Sequence, residues 1–297
     1  MFFSVEKLKV KVLFIILSLF VVGTVYSRAA AEAPARSQAD YKRIISAAPS
    51  NTEILIGLGF GDRLIAIDPY SGDIPGVPSG LPTIDFFYPD IEAVIGMAPD
   101  LILVNEINSY GVADNPFKLL GDLGIRVVDV PTSVSIQGIY NDIIMIAEVL
   151  GVKERGEALV ASMREEVQRI AAASATAQKK RVYFEVSPAP YIYSLGSATY
   201  LNEIIEIAGG INIFADQRGW FSPSAEEIIL RDPEIIFTFV YADEDAIGEI
   251  KSRQAFGSIT AIRLNQVYVI DNNSASRPSQ NIITALREMA RAISGAR

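Results

Sequence analysis

Val152 to Ala177, VKERGEALVASMREEVQRIAAASATA, is the stretch that decides the fold. It follows Gly151 and runs about 26 residues with no proline or internal helix stop, so as a helix it spans about 39 Å at roughly 1.5 Å per residue. Leu159, Met163, Val167 and Ile170 recur at four-four-three spacing, which gives one apolar stripe on an otherwise charged, alanine-rich cylinder. Length and stripe alone fit a surface helix of a single domain. The flanking sequence points instead to a bridge.

Two segments on either side of this helix carry the same pattern in a gapless register at an offset of 134. Asp90 to Val104 reads DIEAVIGMAPDLILV and Ser224 to Thr238 reads SAEEIILRDPEIIFT: a capping residue, a short helix, a Pro-acidic turn and a branched apolar run. Glu92 falls on Glu226, Pro99 on Pro233 and Ile102 on Ile236. Two copies of one unit predict a pseudo-symmetric pair of lobes rather than a solenoid.

The N-terminus opens with Lys7, Lys9 and Lys11, continues as VLFIILSLFVVGTVY and ends in small residues around Ala29 to Ala31, the layout of a secretory signal with cleavage after Ala31. An uncleaved anchor is the alternative, but the apolar run of about 15 residues is short for a span of about 20. Cysteine is absent, which excludes disulfides, thiolate catalysis and a lipidated cysteine; histidine is absent, which excludes imidazole acid-base chemistry, serine-histidine triads and imidazole metal ligands. The expectation is a protein released into the periplasm and not lipidated. Removing residues 1–31 takes away Lys7, Lys9, Lys11, Arg28 and Glu6, so the 26 basic and 35 acidic residues become 22 and 34, a net charge of about −12. A field of that sign repels nucleic acid.

Along the rest of the chain strands and helices alternate, which predicts parallel α/β structure. RIISAA (43–48) and LIAI (64–67) read as strands, with Ser50 and Glu53 between them as a capping box ahead of a helix. Gly57, Gly59 and Gly61 stop that helix rather than forming a phosphate loop, which needs glycines between a strand and a following helix. DPYSGDIPGVPSGLP (68–82) is a long loop after a strand, a usual place for binding groups, and Tyr70 stands in it. Further strands are expected at 101–104, 126–130, 181–186, 234–239 and 266–271, and helices at 115–123, 136–150, 201–209 and 281–293. The layout is a signal sequence over 1–31, an N-terminal lobe over 40–151, a bridging helix over 152–178 and a C-terminal lobe over 179–297. Each lobe is expected to be Rossmann-like with a parallel sheet.

The ordered set IISAAPSNTEILIGLG, a Tyr-containing loop, a Glu-bearing helix before PDLIL, the long helix, and NIFADQRGWFSPSAEEI resembles the substrate-binding proteins of ABC importers for ferric siderophores, haem and cobalamin, the two-lobe class with a helical bridge. The resemblance covers roughly residues 43–294. It implies capture of a metal chelate between the lobes, and a permease dimer with its ATPase subunits as partner. No bound cofactor and no metal site of the protein's own are implied. The glutamate of each repeat helix in that class docks on permease arginines, and the matching positions are Glu92 and Glu226. Paired carboxylates suit charge-assisted bonds to a two-fold partner, although helix-start glutamates also serve simply to stabilise the dipole. Candidate ligand contacts are Tyr70, Phe87, Tyr88 and Tyr110 from the first lobe, with Tyr191, Arg218, Trp220, Tyr241 and Arg277 from the second. Tyr70-Ser71 with Asp73 and Pro75 resembles the Tyr-Ser-x-Tyr-Pro loop of cobalamin-binding members, but Ile74 replaces the second tyrosine. Haem-binding members place a Tyr there or use His, so haem is disfavoured, and bare zinc or manganese more so. A rival reading makes the chain an exported two-lobe enzyme of chelatase or glycosyltransferase-like architecture, with Glu92 and Glu226 as an acid-base pair.

Overall fold

A computed structural model describes residues 40–86, 88–105, 116–239 and 245–295. Ten strands form among them, in chain order β1 (Ile44–Ser46), β2 (Leu64–Ile67), β3 (Leu101–Asn105), β4 (Arg126–Val130), β5 (Lys180–Glu185), β6 (Ser194–Leu195), β7 (Gly210–Asn212), β8 (Trp220–Phe221), β9 (Ile235–Thr238) and β10 (Val267–Val269). The first lobe holds a parallel sheet in the order β2-β1-β3-β4, and the second a parallel sheet in the order β10-β9-β5-β7. Strands β6 and β8 pair as a short antiparallel ribbon. The central strands β1, β3 and β9 are wholly buried, as their near-continuous branched apolar runs require of parallel sheets covered on both faces.

The two sheets have the same order read from opposite edges, β2-β1-β3-β4 against β7-β5-β9-β10. Strand registers agree with this: Ile44 pairs with Leu101 in one lobe, and Val182 with Ile235 in the other. The repeat helices are Ile91–Gly96, capped by Asp90, and Ala225–Arg231, capped by Ser224 in a reciprocal capping box with Glu227. After each, the chain passes through the left-handed region at Ala98 (φ 47°) and Asp232 (φ 43°), positions 134 apart. Each turn is clipped to the first strand of its own lobe. The Asp100 carboxylate accepts from the Lys42 and Arg43 amides, and the Glu234 carboxylate from the Arg181 amide. The Arg43 guanidinium donates to the Met97 and Ala98 carbonyls, and Arg181 Nε to the Asp232 carbonyl at 2.9 Å. The arginine clips are 138 apart, so the gapless register of 134 hid them.

The long helix forms over Lys153–Ser174, 22 residues or about 33 Å, somewhat shorter than the sequence expectation. Its buried side is Gly156, Val160, Met163 and Ile170, with Leu159 and Val167 half-buried. Gly156 extends the expected stripe for a steric reason: a Cβ there would lie 2.5 Å from the Ala147 Cβ, so the helix Ile136–Val149 of the first lobe crosses closely at this point. The same bridging helix packs on the helices Tyr200–Ile207 and Ile282–Ser294 of the second lobe. One apolar core therefore runs from Ile44 through Met163 to Ile293. Among the described residues no helix is long and apolar enough to cross a membrane.

The capping box expected at Ser50 and Glu53 does not form. The helix Pro49–Gly57 starts two residues earlier, with Ala48 at the N-cap and Pro49 in the first turn, where its fixed φ and missing N–H suit a helix start. Ser50 is thereby inside the helix, and the Glu53 carboxylate is engaged elsewhere. Gly59 takes φ 84° just past this helix, the stop that the glycines predicted.

Candidate functional site

A cleft of about 830 Å³ opens at the C-terminal ends of the first lobe's strands. Ala47 and Ala48 follow β1, Asp68 to Tyr70 follow β2, Asn105 ends β3 and Thr132 follows β4, while the second lobe contributes Ser276, Arg277 and Pro278. This is the crevice in which open α/β sheets bind ligands.

A buried polar network supports the Tyr70 loop. Asp68 is buried; one of its carboxylate oxygens accepts from the Tyr70 amide at 2.8 Å and the other from the Ser71 hydroxyl. Ser71 Oγ also lies 3.0 Å from Thr52 Oγ1 on the helix Pro49–Gly57. Burial pushes the Asp68 carboxyl above its ordinary value, against the pull of Ser71.

Arg277 crosses between the lobes. Its Nη1 donates to Glu53 Oε1 at 3.2 Å, and its Nη2 to the Tyr70 carbonyl at 2.9 Å and to Asp73 Oδ1 at 3.2 Å. Asn273 holds the other Asp73 oxygen at 2.9 Å, the Ser279 hydroxyl donates to Glu53, and Gln280 reaches the Glu53 carbonyl at 2.7 Å. Burial pushes Glu53 up, while Ser279 and Arg277 pull it back. Burial also acts against the Arg277 charge, but its bonds to Glu53 and Asp73 outweigh this and raise it.

Of the sequence candidates, Tyr70 lines the cleft and is 74% exposed. Arg277 lines it too, but as an inter-lobe clamp whose guanidinium is already engaged rather than as an open fork for ligand oxygens. Trp220 is not among the lining residues: it sits in β8 with its ring edge-on to Tyr200, centroids 6.5 Å apart. Arg218 is exposed beside a backbone bridge to Ser197, and Tyr88 and Tyr191 are exposed away from the lining. Phe87, Tyr110 and Tyr241 lie outside the described residues. Of the described residues of the Phe86-Phe87-Tyr88 run, Phe86 lines the cleft, buried and stacked on Phe117. Ile74, at the place of a second tyrosine, is buried. Sequence reasoning missed Asp68 and Asp85 as cleft residues, and Glu53 as the buried partner of the Arg277 that lines the cleft. Asp68 had a signal, an acid at the end of a strand opening a long loop; Glu53 had one that pointed to a cap.

Glu92 and Glu226 each occupy the second position of a repeat helix, exposed, and among the described residues neither carboxylate has a hydrogen-bond or ion-pair partner. Neither lines the cleft.

A family model described as periplasmic binding protein matches residues 44–274. The chain belongs to that family. A Bacillus subtilis (strain 168) relative, described as the uncharacterized ABC transporter substrate-binding lipoprotein YvrC, is 32% identical over 258 residues, 85% of this chain and 80% of its own. The vitamin B12-binding protein of Vibrio parahaemolyticus is 28% identical over 254 residues, 84% of this chain and 88% of its own. The crystal structure of a possible iron-binding (periplasmic solute-binding) protein from Staphylococcus epidermidis superposes with a TM-score of 0.75 at 32% identity, covering 86% of this periplasmic binding protein and 99% of the other. All three are described as binding proteins, and the enzyme reading finds no support in them or in the cleft, whose lining excludes both proposed acid-base carboxylates.

Proposed function

We propose that this periplasmic binding protein captures a metal chelate, a corrinoid or a ferric siderophore, in the cleft and delivers it to an ABC permease through Glu92 and Glu226, without chemistry of its own. The observation that carries the reading is the open cleft of about 830 Å³ with the Tyr70 ring exposed in it, a volume within the roughly 300–1,000 Å³ of small-molecule sites. Relatives described as binding vitamin B12 and as possibly binding iron support the ligand class. A flat corrinoid or chelate face suits an aromatic side chain and apolar walls such as Ala47, Pro49 and Phe86. The metal is cargo inside its chelate. Isothermal titration with cyanocobalamin, ferric hydroxamates and catecholates, and haem tests the reading: saturable micromolar or tighter binding of one supports it, and no binding of any overturns it.

The reading includes export to the periplasm and release after cleavage. The Bacillus relative is described as a lipoprotein, whereas this chain contains no cysteine to carry a thioether-linked lipid. Radiolabelled palmitate entering the expressed full chain would overturn the non-lipidated form. An N-terminus beginning at Glu32 would support cleavage.

A further inference from the structure

Arg277 is the one basic side chain among the described residues that line the cleft; the acidic ones are Asp68, Asp73 and Asp85. Its guanidinium is engaged by Glu53, Asp73 and the Tyr70 carbonyl.

A chelate carrying carboxylates or catecholates needs a donor fork or a cation at the cleft wall. Both Nη2 hydrogens are taken, by the Tyr70 carbonyl and Asp73, so a bidentate grip on a ligand oxyanion must displace one of them, and a grip through Nη1 competes with Glu53. Displacing Glu53 leaves a buried carboxylate without its cation, a costly exchange. Resting on the capture reading above, we propose that Glu53 and Asp73 are the charge-specificity determinants of the cleft: by holding Arg277 they withhold it from ligand oxygens, so that the site selects neutral or cationic chelates over polyanionic ones. Rejection here works by a built-in unfavourable exchange rather than by better contacts to the preferred ligand. Arg277 itself is a positioning residue, because it fixes the Tyr70 carbonyl and with it the loop that presents the Tyr70 ring.

The test is a calorimetric comparison of four probes, neutral cyanocobalamin, a neutral ferric tris-hydroxamate, haem with its two propionates, and a trianionic ferric tris-catecholate, against wild type, Glu53→Gln and Asp73→Ala. Wild type is expected to prefer a neutral probe to either anion by about tenfold or more, and each variant to move that ratio toward the anions by about tenfold. Equal losses for all probes, with the ratio unmoved, would mark the two carboxylates as merely structural and overturn the proposal. Wild-type preference for haem or the catecholate would also overturn it while leaving chelate capture standing. Binding of no probe would overturn capture, and charge selection with it. Should Glu53→Gln fail to fold by circular dichroism, Asp73→Ala carries the test, since the Asp73 side chain is 58% exposed.

Discussion

Tyr70 is held by its backbone and free at its ring. Asp68 takes its amide and Arg277 its carbonyl, so the backbone that carries the ring is fixed before binding and only the side-chain rotamer is left to settle. Tyr70→Ala is therefore expected to weaken chelate binding about tenfold or more, near 1–2 kcal/mol, with unchanged thermal stability, read by titration and thermal unfolding. Asp142 makes a different prediction. It is buried on the helix Ile136–Val149 with the Ser133 hydroxyl donating at 2.5 Å, and burial pushes its carboxyl from 3.8 to about 6. The folded chain thus binds this proton more tightly than the unfolded one. The contribution to stability is full below about pH 3.8, falls as pH rises toward 6, and above that the buried charge costs up to about 3 kcal/mol. Asp142→Asn should raise the melting temperature at pH 8 and flatten its dependence between pH 4 and 6; an unchanged slope would contradict this. At this scale the sequence was only partly legible. Tyr70 could be picked from its loop, but Ser50-Asn-Thr-Glu53 satisfies a local capping rule, and the competing partner of Glu53 is 224 residues away.

The repeat helices and the bridge carry their roles as elements. Glu92 and Glu226 project from equivalent places on two capped helices, so replacing both with alanine is expected to leave ligand affinity unchanged. Stimulation of the reconstituted transporter's ATPase should fall, and undiminished stimulation would remove them from docking. In the bridge, Met163 is buried in the core that the two lobes share, and Met163→Ala should cost about 2–5 kcal/mol in chemical denaturation. Elements were the most readable level of the chain. Strands β2 and β4 lie at the residues their apolar runs predicted, because a strand's identity is local. The arginine clips of Arg43 and Arg181 were not readable, since a four-residue change in spacing separates them from the copies of the repeat that they secure.

At the level of the whole molecule, one core shared across a single stiff helix leaves little room for a wide hinge motion. The Glu53–Arg277 bond adds a polar tie on the cleft side. Small-angle scattering of the free and ligand-saturated protein is expected to differ only slightly, and a large compaction would contradict the rigid bridge. The two-lobe architecture was legible from the repeat and the long helix together, while the way the lobes meet was not, because it rests on pairs that only the folded chain brings together. One of those junctions offers a gauge. The protein has a single tryptophan, and although Trp220 is not in the cleft lining, its ring abuts Tyr200, whose hydroxyl donates to the Ala275 carbonyl at 2.9 Å, one residue before the wall formed by Ser276 to Pro278. Indole emission is therefore placed to report on the second lobe's side of the cleft: a chelate that moves that wall is expected to alter the signal without touching the ring.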